Sequence, residues 1–284
     1  MDTPSIDHLP PIDWAGNPLR MAFFDVDGTL LDRDGHLSEA TCTAIAALKA
    51  RGVRTAFATG RPPFAVSALQ QRLKLDGPHV FYTGALCHFA GTLLADQCLE
   101  PAQWRSVVEV ATACDVHCEI YYEDHYCTAY ESDIVSEHAR HLGVKPHIVP
   151  ADQWPLRPAY KLLLGVDTRR VPAGLLALEA QFTSLHFAYA HLPSRPHWQF
   201  ASVVAGSVNK TGLFESLLAR LGHSAGAVVA FGDGGSDMAF LQAAGLGIAM
   251  GNASAQVQAA ANFVTRSSCE DGVAYAISRL LARA

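Results

Sequence analysis

Hydrophobic and polar positions follow two different textures along this chain, and the change between them marks its organisation. Leu19 to Val26 (L-R-M-A-F-F-D-V) is an apolar run, the pattern of a strand buried on both faces of a parallel sheet. Asp25 interrupts the run at its end, and a Gly-containing segment follows. A helix is then predicted from Ser38 to Arg51, with Ser38 as N-cap and Gly52 as stop. Val53 to Ala58 reads as a second buried strand, followed directly by T-G-R-P-P. Pro62 and Pro63 suit the opening of a helix that carries Val66, Leu69 and Leu73 on one face. Val80 to Tyr82 reads as a third strand. This β-α-β-α-β order implies right-handed crossovers and a doubly wound parallel sheet.

The last third resumes the rhythm. Strands are expected at Val203 to Val208, Ala227 to Phe231 and Leu246 to Met250, and helices at Thr211 to Leu221, Asp237 to Ala244 and Asp271 to Ala282. In between, aromatics, His and Pro become frequent, with β-like runs at Cys118 to Tyr122, Lys161 to Val166 and His186 to Tyr189. The expected fold class is therefore α/β: a Rossmann-like doubly wound core from residues 1–84 and 201–284, with an α+β unit of residues 85–200 inserted. Residues 1–18, acidic and Pro-rich, read as a disordered lead-in or as a stretch ahead of a true start at Met21.

Composition narrows the function classes. Half of the 284 residues are hydrophobic and 17% are charged, enough for a buried core and wrong for a disordered chain. A net charge of -6 and a pI near 6.1 argue against nucleic acid or an acidic membrane as partner, which would need a basic face. An anionic substrate would need positive potential made locally, by a metal or a few cations. The cysteines are seven, without a C-x-x-C pair, and neither a signal peptide nor a membrane-length apolar run is legible, so a cytoplasmic protein with reduced thiols is expected.

Ligands of open parallel sheets sit beyond the carboxyl ends of the strands. Four such ends carry reactive groups here: Asp25 and Asp27, Thr59, Lys210 after Val203 to Val208, and Asp233. Any one of these acids alone reads equally well as a turn former or N-cap. Four ends in agreement point to one site.

D-V-D-G-T (Asp25 to Thr29), A-T-G-R (Ala58 to Arg61), Lys210 and G-D-G-G-S-D (Gly232 to Asp237) resemble the four motifs of the haloacid dehalogenase superfamily. V-N-K-T-G, A-M-G-N-A, E-D-G-V-A and the long insertion are similar to its Cof-type branch, in which the insertion is a cap. The resemblance implies Mg²⁺ held by the Asp25 carboxylate, the Asp27 backbone carbonyl and the Asp233 carboxylate. It implies Asp25 as nucleophile, Asp27 as general acid and base, and Thr59, the Gly60 N–H and Lys210 around the phosphoryl group. Asp237 would orient Lys210 or a metal-bound water. Two positions depart from the pattern: Ser236 stands where the family usually has Asn, and Thr83 replaces the Asn of the branch's N-G-A.

The chemistry explains the residue types. A phosphate dianion repels a carboxylate, by ~4 kcal/mol for unit charges 4 Å apart at an effective dielectric near 20, so a cation must lie between them. The implied activity is hydrolysis of a small-molecule phosphate ester, a sugar phosphate or similar metabolite, through a phospho-aspartate. The rivals are phosphoryl transfer to another hydroxyl, as in mutases, and a sugar-phosphate-binding regulator without turnover. In the cap, Glu123 and His125 lie in a polar loop able to reach sugar hydroxyls, and Lys161 is placed to meet an anionic group. Cys114, His117, Cys118, His125 and Cys127 invite a zinc reading, but a hairpin there would divide the ligands between two faces. His138 and His141 read as an exposed helix face.

Overall fold

The computed structural model describes residues 3–171, 173–192, 195–208 and 210–282, with only the backbone of 191, 192, 210 and 211. The chain divides into two compact units. One contains Met1–Gly60, Ser67–Ala95 and Asn209–Ala284; the other contains Arg61–Val66 and Asp96–Val208. Among the described residues no helix is long and apolar enough to cross a membrane.

The first unit is built on a five-stranded parallel sheet. Its strands are β1 (Met21–Phe24), β2 (Arg54–Phe57), β12 (Val228–Gly232), β13 (Leu246–Ala249) and β14 (Phe263–Val264), in the order β14-β13-β12-β1-β2. All four residues of β1 are buried, as its unbroken apolar run requires. Phe23 packs edge-on against Phe214 and Phe240 of the helices α6 (Lys210–Leu221) and α7 (Met238–Ala243). On the opposite side Phe24 stacks on Phe231 at 4.9 Å. Helices α1 (Glu39–Ala50) and α9 (Gly272–Leu281) contact each other, and α2 (Pro63–Leu73) and α8 (Ala255–Ala259) follow β2 and β13. Ser38 caps α1, its Oγ accepting the Thr41 N–H at 3.1 Å. The chain leaves β1 toward β2 on one side and β12 toward β13 on the other, so the switch point of the sheet lies between β1 and β12, where a ligand site is expected.

Three expectations about strands and the start of the chain change. The strand β3 (His79–Phe81) lies beside β2, bridged in parallel at Ala58–Val80, but its ladder is in a three-stranded antiparallel sheet that it forms with β4 (Leu86–Phe89) and β5 (Thr92–Asp96). Residues 3–18 are ordered rather than a loose lead-in. Ile6 and Leu9 are 1% and 2% exposed, Ser5 bridges Val264 at the sheet edge, and the Tyr275 hydroxyl donates to Asp7 at 2.5 Å. Two apolar side chains and several hydrogen bonds anchor an otherwise polar segment. Val203 to Val208 is no core strand. Its start belongs to β11 (Arg195–Ala205), which pairs antiparallel with β9 (Lys161–Asp167) and β10 (Leu185–Leu192) in the second unit.

That second unit is a six-stranded sheet in the order β10-β11-β9-β6-β7-β8, with β6 (His117–Tyr121), β7 (Tyr126–Thr128) and β8 (His147–Ile148) completing it. Its helices are α3 (Pro101–Ala113), α4 (Asp133–Leu142) and the short α5 (Leu176–Glu179). A fully buried carboxylate sits within it. Glu119 accepts from His117 Nε2 at 3.1 Å, from His138 Nδ1 at 2.8 Å and from the Tyr121 hydroxyl at 2.5 Å. His138 thus faces the sheet, not solvent as its helix pattern suggested, while His141 is exposed. With His117 and Tyr121, His138 helps to satisfy a buried charge.

Candidate active site

The site grows from the loops that follow β1 and β12. The Asp25 N–H still donates to Phe231 O at 3.0 Å, which holds the residue in line with the sheet. The chain then turns: Leu31 N–H returns to Val26 O at 2.8 Å, and Gly28 N–H donates to Leu31 O at 3.0 Å. Gly28 has φ +79°, and a Cβ there would lie 2.3 Å from Asp233 Oδ2, so both conformation and space demand glycine. Thr29 is buried and donates through Oγ1 to Asp233 Oδ1 at 2.8 Å. Asn252, in the loop after β13, donates to Asp233 Oδ2 at 3.1 Å and to Gly28 O at 3.0 Å, while its own Oδ1 accepts the Ser268 N–H at 2.9 Å.

Asp237 lies at 1% exposure and accepts the Gly234 N–H at 3.0 Å. Carboxylate oxygens of Asp25, Asp233 and Asp237 all fall within 4.8 Å of one another. Burial, with the negative charges of Asp237 and Asp27 added, pushes Asp233 up to about 7 against the pull of its Thr29 and Asn252 hydrogen bonds. Such a cluster is a surplus of negative charge that a cation would relieve. An all-oxygen donor set at this spacing fits a hard divalent ion such as Mg²⁺.

Thr59 stands at the end of the neighbouring strand, buried, with its N–H donating to Val80 O at 2.9 Å and its carbonyl accepting the Thr83 N–H at 3.1 Å. Gly60 follows it, 3.5 Å from Thr83 Oγ1 at the position a Cβ would take. Asp27 pairs with Leu31 in the turn, close enough for its charge to act on Asp233. Ser236 is exposed in the turn that leads to Asp237. Lys210 opens α6, and its side chain lies outside the described residues.

The three second-unit candidates lie on or beside the β6 end of the second sheet. Lys161 is 5% exposed, its ammonium 4.3 Å from the Tyr121 ring centroid. His125 stacks on His147, lies at a tilt against Tyr122 and bonds Asp124, and Glu123 is exposed in the same turn. Cys114, Cys118 and Cys127 are free thiols, and among the described residues they join no metal-sized group with His117 or His125. Thr29 and Asn252 carried no role in the sequence reading, although both fall inside quoted motifs. A threonine or asparagine at fixed distance from a motif acid was the available signal.

Gly28→Ala is expected to destabilise the first unit by about 1–3 kcal/mol, because a left-handed alanine must also displace a carboxylate. Thermal melts of both proteins, with and without Mg²⁺, check this. An unchanged melting temperature would mean that the loop yields freely.

Residues 22–277 match the haloacid dehalogenase-like hydrolase family. The HMP-PP phosphatase of Escherichia coli O81 is 30% identical over 249 residues, covering 84% of this chain and 87% of its own. The HMP-PP phosphatase of Shigella boydii serotype 4 is likewise 30% identical, covering 84% and 91%. Among solved structures, a haloacid dehalogenase-like hydrolase from Bacteroides thetaiotaomicron shares the fold with TM-score 0.82 at 23% identity, over 93% of this chain and all of that one. The HAD subclass IIB sugar phosphatase BT4131 superposes with TM-score 0.78 at 24% identity, over 91% and 98%.

Proposed function

The chain belongs to the haloacid dehalogenase-like hydrolases, and from that premise we propose that it removes phosphate from small phosphate monoesters through a phospho-aspartate at Asp25. The observation that carries the reading is the meeting of Asp25, Asp233 and Asp237 at the switch point of the sheet, acids drawn from both ends of the polypeptide. Mg²⁺ would be held by Asp25 and Asp233, with the Asp27 carbonyl and the Asp237 carboxylate beside them. When bound, it offsets the repulsion between the nucleophile and the phosphate dianion.

The chain's own groups do the rest. The Asp25 carboxylate attacks phosphorus, an Oδ–P bond forms and the bond from phosphorus to the ester oxygen breaks. The Asp27 carboxyl gives its proton to the departing alkoxide. Water then attacks the acyl phosphate, Asp27 takes up the proton, and orthophosphate leaves with Asp25 restored. The Thr59 hydroxyl, the Gly60 N–H and Lys210 hold the phosphoryl oxygens as charge shifts among them. The second unit serves as the cap that selects the leaving group, with Glu123, His125 and Lys161 as its candidate contacts. Relatives named as HMP-PP and sugar phosphatases support a phosphorylated metabolite as substrate, with sugar phosphates the first to try.

The test is phosphate release from p-nitrophenyl phosphate with Mg²⁺ and then with excess EDTA. The rate should fall at least ~100-fold on chelation and return when Mg²⁺ is restored. A folded protein that binds sugar phosphates but releases no phosphate would instead be a regulator.

A further inference from the structure

Two successive non-glycine residues in the first unit, Tyr82 and Thr83, occupy the left-handed region at φ +49° and +61°, followed by Gly84 at +109°. The left-handed region is unfavourable for any side chain and most of all for a β-branched one, so a Thr there is a true outlier. Such conformations persist only where the surroundings impose them, and they cluster at functional sites. Tyr82 is fully buried, which supplies the constraint.

The hook has a definite product. It turns the Thr83 N–H back onto the Thr59 carbonyl at 3.1 Å and sets the Thr83 hydroxyl beside Gly60. The Thr59–Gly60 peptide is trans, as all described ones are, so its C=O and N–H point in opposite directions within one plane. Fixing the carbonyl therefore fixes the direction of the Gly60 N–H. The other side of Thr59 is tied as well, through its N–H to Val80 O at 2.9 Å.

We infer that the left-handed pair Tyr82–Thr83 is a positioning device that aims the Gly60 N–H at the phosphoryl group. The inference rests on the reading of Gly60 as a phosphoryl contact. Strain is held in the Tyr82–Thr83 turn so that the amide need not reorient when the anion arrives. Thr83 is a positioning residue: its backbone acts through Thr59, and its side chain is replaceable by any that accepts positive φ.

Three variants test this. Thr83→Gly and Thr83→Asn keep the N–H and suit the left-handed region; both should melt no lower than wild type and keep kcat/KM within about 2-fold. Thr83→Pro loses both the N–H and the positive φ. It should raise the inhibition constant of inorganic phosphate and the KM for p-nitrophenyl phosphate at least ~10-fold, with the concentration of Mg²⁺ giving half-maximal activity unchanged. A merely structural role would lower the melting temperature and leave those constants alone, and that result overturns the inference. Should Thr83→Pro fail to fold, amide exchange in wild type decides. Saturating inorganic phosphate should slow exchange of the Thr83 N–H at least ~10-fold, and an unchanged rate overturns the inference. Wild-type protein that neither hydrolyses the ester nor binds phosphate would sink the phosphatase reading itself, a distinguishable outcome.

Discussion

Asp25→Asn should lower turnover of any phosphate ester at least ~10³-fold, about 4 kcal/mol of transition-state stabilisation, while the protein stays folded. The amide has the shape of the carboxylate but not its nucleophilic oxygen. Its effect on stability should be neutral or favourable, since it removes one charge from three carboxylates whose oxygens lie within 4.8 Å. Single-turnover phosphate release in Mg²⁺ and thermal melts in metal-free buffer separate these quantities. A general acid and base is less absolute than a nucleophile, so Asp27→Asn should cost about 10²–10⁴-fold and leave some burst of phospho-enzyme. Full activity in Asp25→Asn would move the nucleophile elsewhere and end the phospho-aspartate proposal.

Glu119→Ala is expected to destabilise the second unit by about 3–5 kcal/mol, the usual consequence of removing one partner from a buried ionic cluster. His117, His138 and the Tyr121 hydroxyl would lose their shared acceptor while still buried or nearly so. Burial alone pulls the Glu119 carboxyl upward. The His138 charge and the hydrogen bonds from His117 and His138 outweigh it and hold the group well below its ordinary value of 4.5. A carboxyl depressed in the folded state contributes stability that is complete above its unfolded pKa and is lost as pH falls through the folded one. The wild-type unit should therefore weaken progressively below about pH 4.5, and Glu119→Gln should flatten that acid limb. Hydrogen exchange of β6 and β9 against pH reads this unit separately from the other. An acid limb identical in Glu119→Gln would assign the dependence to other carboxylates.

How much of this was legible in the sequence differs by element. The strand β1 and the Ser38 cap rest on local patterns, an apolar run and a side chain that satisfies a helix N-terminus, and both stand where those patterns put them. Asp25 and Asp233 could be picked out because each directly follows a strand of a parallel sheet, whereas Asp237, in the turn before α7, came only with its motif. Val203 to Val208 misled because a strand at the centre of an antiparallel hairpin sheet is as apolar as one in a parallel core. Only its pairing with Leu162 to Asp167 and Leu185 to His191 decides which sheet it joins. His138 misled for the opposite reason. Its partner Glu119 is 19 residues away on a strand, so no helical periodicity could announce it. Thr29 and Asn252 needed the third dimension too, since the oxygens they hold belong to Asp233, 204 and 19 residues distant.

The ordered start of the chain has one more consequence. β14 is two residues long and lies last in the sheet, and Ser5 with the Pro4 carbonyl occupies its outer side, accepting the Val264 N–H at 2.9 Å. An exposed strand margin is a template on which a second molecule can add. The opening residues thus act as a built-in terminator, and a version trimmed to begin at Met21 would uncover an adhesive border and trade solubility for self-association.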